Sequence, residues 1–129
     1  MSARIRAANV SLKRAYEKPA RGDGRRILVD RLWPRGVSKA DAAIDEWLKD
    51  LAPSTGLRKW FGHDPRRWDQ FQRRYADELR DHRELYAHLR DLARKEPITL
   101  VYSARDEAHN DAVVLRNLLL GRAPPNESE

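Results

Sequence analysis

The 129-residue sequence contains no cysteine. That absence removes disulfides, thiolate nucleophiles, cysteine-ligated zinc and iron–sulfur clusters from consideration. Long apolar runs are missing too: nothing approaches the roughly 18 consecutive apolar residues of a membrane helix, and Met1-Ser2-Ala3-Arg4-Ile5-Arg6 carries no apolar signal segment. A soluble, cytoplasmic protein with no membrane partner is expected. No tandem repeat, low-complexity tract or glycine-rich cofactor loop is present. His82 and His88 stand six residues apart, on different faces of a helix, so they form no zinc pair. No cofactor and no metal are expected. The sequence carries no signal for an oligomeric state.

What the chain has is charge. Its 26 basic residues exceed its 20 acidic ones, giving +6, and arginine supplies 20 of the 26. Arginine's planar fork of donors matches phosphate and carboxylate, which favours phosphate-bearing partners. Much of this charge is interleaved, as in Asp77-Glu78-Leu79-Arg80-Asp81-His82-Arg83-Glu84, and interleaved charge also describes a solvated helix face.

Hydrophobic patterning predicts a small α/β domain. A first strand is expected over Ile5 to Val10, with Ser11–Tyr16 as either its extension or a helical turn. Lys18–Arg26, with Pro19, Gly22 and Gly24, reads as an exposed loop. The apolar runs Arg26–Asp30 and Ile98–Tyr102 read as strands buried on both faces, hence parallel neighbours. Ser38-Lys39-Ala40-Asp41 resembles a capping box, and Ala40, Ile44, Trp47, Leu48 and Leu51 follow at helical spacing, predicting a helix over 39–51. Ser54 and Gly62 bracket a short helix, and Asp64-Pro65 starts another. The apolar stripe from Trp68 to Leu92 slips phase near Asp81-His82, predicting a kink or two abutting helices. A last helix is expected over 107–120, ending at Gly121. The whole reads as one compact α/β domain over 1–122, a small, mostly parallel sheet with helices on its faces, followed by a flexible tail over 123–129.

In open α/β sheets, ligands sit beyond the carboxyl ends of the strands. That rule gathers Arg14 after the first strand, Asp30, Arg31, Trp33 and Arg35 after the second, and Ser103, Arg105, Asp106 and Asn110 after the third. Arg31, Arg35 and Arg105 suit a phosphate or carboxylate, and Trp33 suits stacking on a planar group. The start of the last helix adds unpaired N–H groups that attract anions. The competing reading is a structural network, with Asp30 and Asp106 pairing the arginines and Trp33 in the core. His63-Asp64 as a base pair for catalysis competes with simple helix capping. Ser103 lacks the Gly-x-Ser-x-Gly context and an evident base. Trp47, Trp60 and Trp68 fall at helical core spacing.

The runs Arg26-Ile27-Leu28-Val29-Asp30-Arg31-Leu32-Trp33-Pro34-Arg35-Gly36, Trp47–Ser54, Leu57–Pro65 and Thr99–Asp106 with Asn110 closely resemble the YeaO-like family, a bacterial domain of unknown function (488), over about residues 4 to 120. The resemblance implies a compact α/β fold in a bacterial cytoplasm and grants no reaction. Family members sometimes carry names such as transcriptional regulator or uroporphyrin methyltransferase. This chain shows neither a clear helix-turn-helix nor a glycine-rich cofactor loop. More distant domains carry Cys near the last strand, where this chain has Ser103 to Asp106, so thiol chemistry does not transfer.

Three functional classes remain. The leading one is a binding module for a phosphate-containing ligand, either a small molecule such as a nucleotide or a nucleic-acid backbone. The alternatives are a small hydrolase of a phosphorylated or nucleotide substrate, with Asp30 or Asp106 as base or metal ligand, and a protein–protein interaction module.

Overall fold

In the computed structural model, which describes residues 4–126, β1 (Val10–Arg14), β2 (Arg25–Leu28), β3 (Glu46–Trp47) and β4 (Ile98–Tyr102) form one parallel sheet in the order β1-β4-β2-β3. β4 is buried along its whole length: β1 and β2 pair along its two edges, and packed side chains cover both of its faces. A strand so placed has no solvent face, which is why its sequence is nearly continuous in apolar residues. The pairing runs one residue past β2, where the Val29 N–H donates to the Val101 carbonyl at 3.1 Å.

The helices are α1 (Lys39–Ala42), α2 (Thr55–Phe61), α3 (Trp68–Leu79), α4 (Arg83–Lys95) and α5 (Asp111–Leu119). Side chains of α2, α3, α4 and α5 meet Val10, Ile27, Val29, Ile98, Leu100 and Tyr102 in the main core. On the opposite sheet face Ala15, Leu28 and Val101 form a smaller cluster, covered by Trp33 and Ile44 from the β2–β3 connection. That face also buries an ion cluster in which Asp23 meets Arg26 at 2.7 Å and Lys13 at 3.1 Å. Burial pushes the Asp23 carboxyl up, but the Ala20 N–H, Lys13 and Arg26 together outweigh it and hold the group below its ordinary range. Asp23 is thus a buried anchor within the expected exposed loop, because Arg26 on β2 needs a counter-ion where it enters the core.

Caps place the helix ends. Ser54 accepts from the Leu57 N–H and Gly62 closes α2 in the left-handed region. Asp64 accepts from the Arg66 N–H ahead of a 3-10 turn over Pro65–Arg67 that feeds α3. The phase slip near Asp81-His82 is a 3-10 turn, Arg80–His82, joining α3 to α4.

Three expectations are corrected. The first strand lies over Val10–Arg14, not Ile5–Val10: Ala7–Asn9 form a 3-10 turn, and it is Val10–Arg14 that find partners along β4. The helix expected over 39–51 stops at Ala42. Ser38 does cap it, accepting from the Asp41 N–H at 3.0 Å, but Ala43 turns left-handed (φ 49°) and the chain joins the free edge of β2. There the Asp45 N–H donates to the Arg26 carbonyl, the Leu48 N–H donates to the Leu28 carbonyl, and the Asp45 carboxylate accepts from the Arg26 N–H at 2.8 Å. An open strand edge offers these bonds, and it outweighs modest helix propensity. The last helix begins at Asp111, not 107, because the Asp106 carboxylate captures the N–H groups of Ala108 and His109 in a tight turn and leaves Asn110 as the cap.

Residues 122–126 have no regular structure, and Arg73 donates to the carbonyls of Pro125 and Asn126 at 3.3 Å each. Met1–Ala3 and the last three residues of the expected tail lie outside the described residues. No described helix is long and apolar enough to cross a membrane.

Candidate functional site

Because all four strands run parallel, their carboxyl ends share one edge of the sheet, and a cleft of about 1030 Å³ opens there. Asp30, Arg31, Trp33, Arg35, Ser103, Arg105, Asp106 and Asn110 all line it. Arg14 does not. The Arg14 guanidinium donates to the carbonyls of Ala104 (2.9 Å) and Ser103 (3.3 Å) and lies 5.2 Å above the Tyr16 ring, so it fastens the loop after β4 to β1. The sequence reading placed Arg14 beyond the first strand among the ligand groups; it is instead the last residue of β1 and lies outside the cleft.

Several of the gathered side chains are already engaged. The Asp30 carboxylate accepts from the Ser103 N–H at 2.8 Å, and its carbonyl accepts from the Trp47 indole N–H at 2.7 Å. Arg31 donates to the carbonyls of Ala52 and Pro53 at 3.3 and 3.4 Å. The Trp33 indole donates to the Val37 carbonyl at 2.7 Å and meets Trp47 edge-on at 5.6 Å. Trp33 therefore serves the smaller core and shows only part of itself to the cleft. Asn110 is 4 % exposed: its carbonyl oxygen accepts from the Val113 N–H and its amide donates to the Asp106 carbonyl, so it caps α5. Asp106 receives the His109 ring Nδ1 at 2.8 Å, and that bond, with the N–H groups of Ala108 and His109, holds its carboxyl below the usual range.

The arginines divide differently from the expected network. Among the described residues Arg35 and Arg105 make no ion pair with Asp30, Asp106 or any other carboxylate, and no side-chain hydrogen bond joins them to the protein. Two further cations line the cleft from α2, Arg58 and Lys59, also without a carboxylate partner among the described residues. Sequence reading missed both. Their signal was the Ser54 cap and the Gly62 stop, which fix α2 but not where α2 packs. Phe61 and Phe71, stacked at 4.3 Å, give the cleft an apolar wall.

Asp111, the first residue of α5, was missed as well. Its carboxyl accepts from the Ala112 N–H at 2.8 Å and hydrogen-bonds Asp30. Burial, then the charge of Asp30 and the hydrogen bond with it, drive the Asp111 carboxyl well above the usual carboxylate range, against a weaker pull from Arg58. Beneath it the buried Tyr75 hydroxyl donates to the Leu51 carbonyl at 2.5 Å, and burial pushes that phenol well up.

His63 and Asp64 do not form an orienting pair. His63 is exposed at φ 56° on the cleft wall, while Asp64 bonds Arg66 at 3.1 Å, which holds its carboxyl low. His88 meets Glu46 at 2.6 Å, away from the cleft. Trp60 lies under Arg74 (4.2 Å) and Arg67 (5.4 Å), and Trp68 stacks on Phe71. Trp47 is on β3 and 37 % exposed, so it is not the helical core residue its spacing suggested. Among the described residues no group of three or more His, Asp or Glu is placed to hold a metal ion.

A model described as the inactive DUF488-N3 subclade matches residues 9–128. The chain is 46% identical over 111 residues to the uncharacterized protein YeaO of Escherichia coli strain K12, an overlap that covers 86% of this chain and 96% of that protein. It is 44% identical over 118 residues to the uncharacterized protein Rv3073c of Mycobacterium tuberculosis strain H37Rv, covering 92% of this chain and 99% of the relative. No solved structure matches.

Proposed function

The chain belongs to the YeaO-like DUF488 family, in its inactive DUF488-N3 subclade, and on that premise we propose that it is a binding module for a phosphate-containing ligand seated at the strand carboxyl ends. One observation carries this reading: Arg35, Arg58, Lys59 and Arg105 converge on a single cleft with no carboxylate partner among the described residues. Unpaired cations at the rim of a concave, largely apolar cavity suit a ligand with an anionic end and a planar or apolar body. The volume, about 1030 Å³, lies at the upper end of small-molecule sites, roughly 300–1,000 Å³.

The description of the subclade as inactive supports binding over turnover. A hydrolase is the second reading, favoured by two carboxyl groups, Asp30 and Asp111, lining the same cleft. A thermal-shift screen with inorganic phosphate, nucleoside mono- and diphosphates, sugar phosphates and short single- and double-stranded oligonucleotides tests the proposal, because a ligand that binds the folded state raises its stability. At least one phosphate compound should stabilise the protein, and the same compound should be recovered unchanged. Recovery of a hydrolysed product would move the assignment to the hydrolase.

A further inference from the structure

His109 lines the cleft with one of its two ring nitrogens already bonded. The Asp106 carboxylate divides its oxygens. Oδ1 accepts from the N–H groups of Ala108 and His109 at 2.9 and 3.0 Å, while Oδ2 meets the His109 ring Nδ1 at 2.8 Å. The turn ahead of α5 closes on Oδ1 alone, so the contact through Oδ2 orients the ring rather than the backbone. An ionised carboxylate has only acceptors, and the hydrogen of that contact therefore belongs to Nδ1. Nε2 is left as the ring's free polar atom: it has no protein partner among the described residues and is not buried. Trp68 meets the ring edge-on at 5.1 Å from α3, and the His109 side chain keeps 32 % of its surface exposed.

We propose that His109 contacts the ligand through Nε2, as a hydrogen-bond donor to the same oxyanion that the rim cations hold, with Asp106 as its positioning residue. This rests on the anion-binding reading and adds a proton to it. With Nδ1–H committed to Asp106, a second proton enters the ring at Nε2 and turns a bare acceptor into a charged donor. The imidazolium then lies between a carboxylate and an oxyanion, and each stabilises its charge. A neutral ring presents only a lone pair, which a fully ionised oxyanion cannot use. Ligand and proton therefore bind together, each tightening the other by the same factor. One charge-assisted hydrogen bond makes that factor about tenfold or more.

The charged groups around the ring come from several elements. Arg105 is on its own loop, Arg31 and Arg35 follow β2, and Arg58 and Lys59 stand on α2, all lining the same cleft. These cations oppose a second proton on the ring unless an anion offsets them. Of the acids in the cleft lining, Asp30, Asp106 and Asp111, Asp106 alone pairs with the ring among the described residues. His63 also lines the cleft, so a pH dependence of binding by itself does not single out His109. The state of the His109 ring does.

Sulfate is the probe, since its charge is constant from pH 5.5 to 8.5. Nitrogen-15 NMR of the histidine rings reports which ring nitrogens carry hydrogen, and the His109 signals are identified by their loss in His109→Phe, a change that keeps an aromatic ring against Trp68. In the unaltered protein at pH 8.5 the ring should be in the Nδ1–H form, and sulfate added at lower pH should drive it to the doubly protonated form. Calorimetry at pH 5.5 should find sulfate bound about tenfold less tightly by His109→Phe, with the difference narrowing at pH 8.5. In Asp106→Asn the side-chain amide donates to Nδ1, so the neutral ring should switch to the Nε2–H form and sulfate should no longer protonate it. An Nε2–H ring in the unaltered protein at pH 8.5 overturns the positioning role of Asp106. Sulfate binding that leaves the His109 signals unmoved at every pH overturns the contact while leaving anion binding intact. No sulfate binding by the unaltered protein at pH 5.5 overturns both.

Discussion

The Asp30 carboxylate accepts a hydrogen bond from the Ser103 N–H at 2.8 Å, joining the end of β2 to the end of β4 across the mouth of the cleft. The bond holds two loops in register at the point where the sheet stops supplying ladder bonds. Asp30→Ala leaves the Ser103 N–H without its partner and should cost about 1–3 kcal/mol in urea denaturation at pH 5, whereas Asp30→Asn, which keeps an acceptor oxygen, should cost less. Equal losses in the two variants would show that the bond does not restrain the loops.

Asp23 governs the acid side of the stability profile. Its folded-state carboxyl is held below the unfolded value by Ala20, Lys13 and Arg26 acting against burial. The stability it contributes is therefore complete above the ordinary carboxylate range and is lost as pH falls through the lowered value. Asp23→Asn strands the buried Arg26 and should destabilise the protein at pH 7 by roughly 3–5 kcal/mol, with a flatter decline below pH 4. Thermal unfolding from pH 2.5 to 7 measures both effects.

Asp111 acts in the opposite sense. Burial and Asp30 raise its folded-state carboxyl above the unfolded value, so its favourable contribution is present at low pH and disappears as pH rises through the raised value. Asp111→Asn should leave stability nearly unchanged at pH 4 and make the protein more stable than the parent at pH 8. An unchanged or lower melting temperature at pH 8 contradicts a raised Asp111 carboxyl.

Much of this architecture is legible in local sequence, and the failures have a common physical origin. β2 and β4 declare themselves because both faces of each are buried, which leaves Ile27-Leu28-Val29 and Leu100-Val101 without polar alternation. The 39–51 segment does not. Its Ile44 and Leu48 fit one helical stripe, yet they pack on opposite sides of the sheet once the chain pairs with the edge of β2. The strand-end residues of the cleft follow from topology alone. Arg58, Lys59 and Asp111 do not, because they arrive on α2 and α5, whose positions are set by packing between distant segments. The engagement of Arg14, Arg31 and Trp33 with backbone carbonyls is likewise invisible in composition.

Gly24 sits at φ 64°, where a Cβ would come within 2.2 Å of the Pro97 carbonyl oxygen. The same carbonyl accepts the Arg25 N–H at 3.0 Å and begins the β2–β4 pairing. Gly24→Ala must move one strand away from the other, and should cost more than about 2 kcal/mol by combining backbone strain with the lost bond. Gly22→Ala, with open space around its Cβ position, provides the control and should be nearly neutral in the same denaturation experiment.

The cleft's cations are the centre of this account, and calorimetric titration of inorganic phosphate into the parent protein and into Arg35→Ala/Arg105→Ala at pH 6 tests them most directly. These two guanidinium groups have no carboxylate partner among the described residues, so their removal should leave the melting temperature within a degree or two while weakening phosphate binding roughly tenfold or more. Phosphate affinity equal in the two proteins, or no measurable phosphate binding by the parent, would contradict an anion site at the strand carboxyl ends.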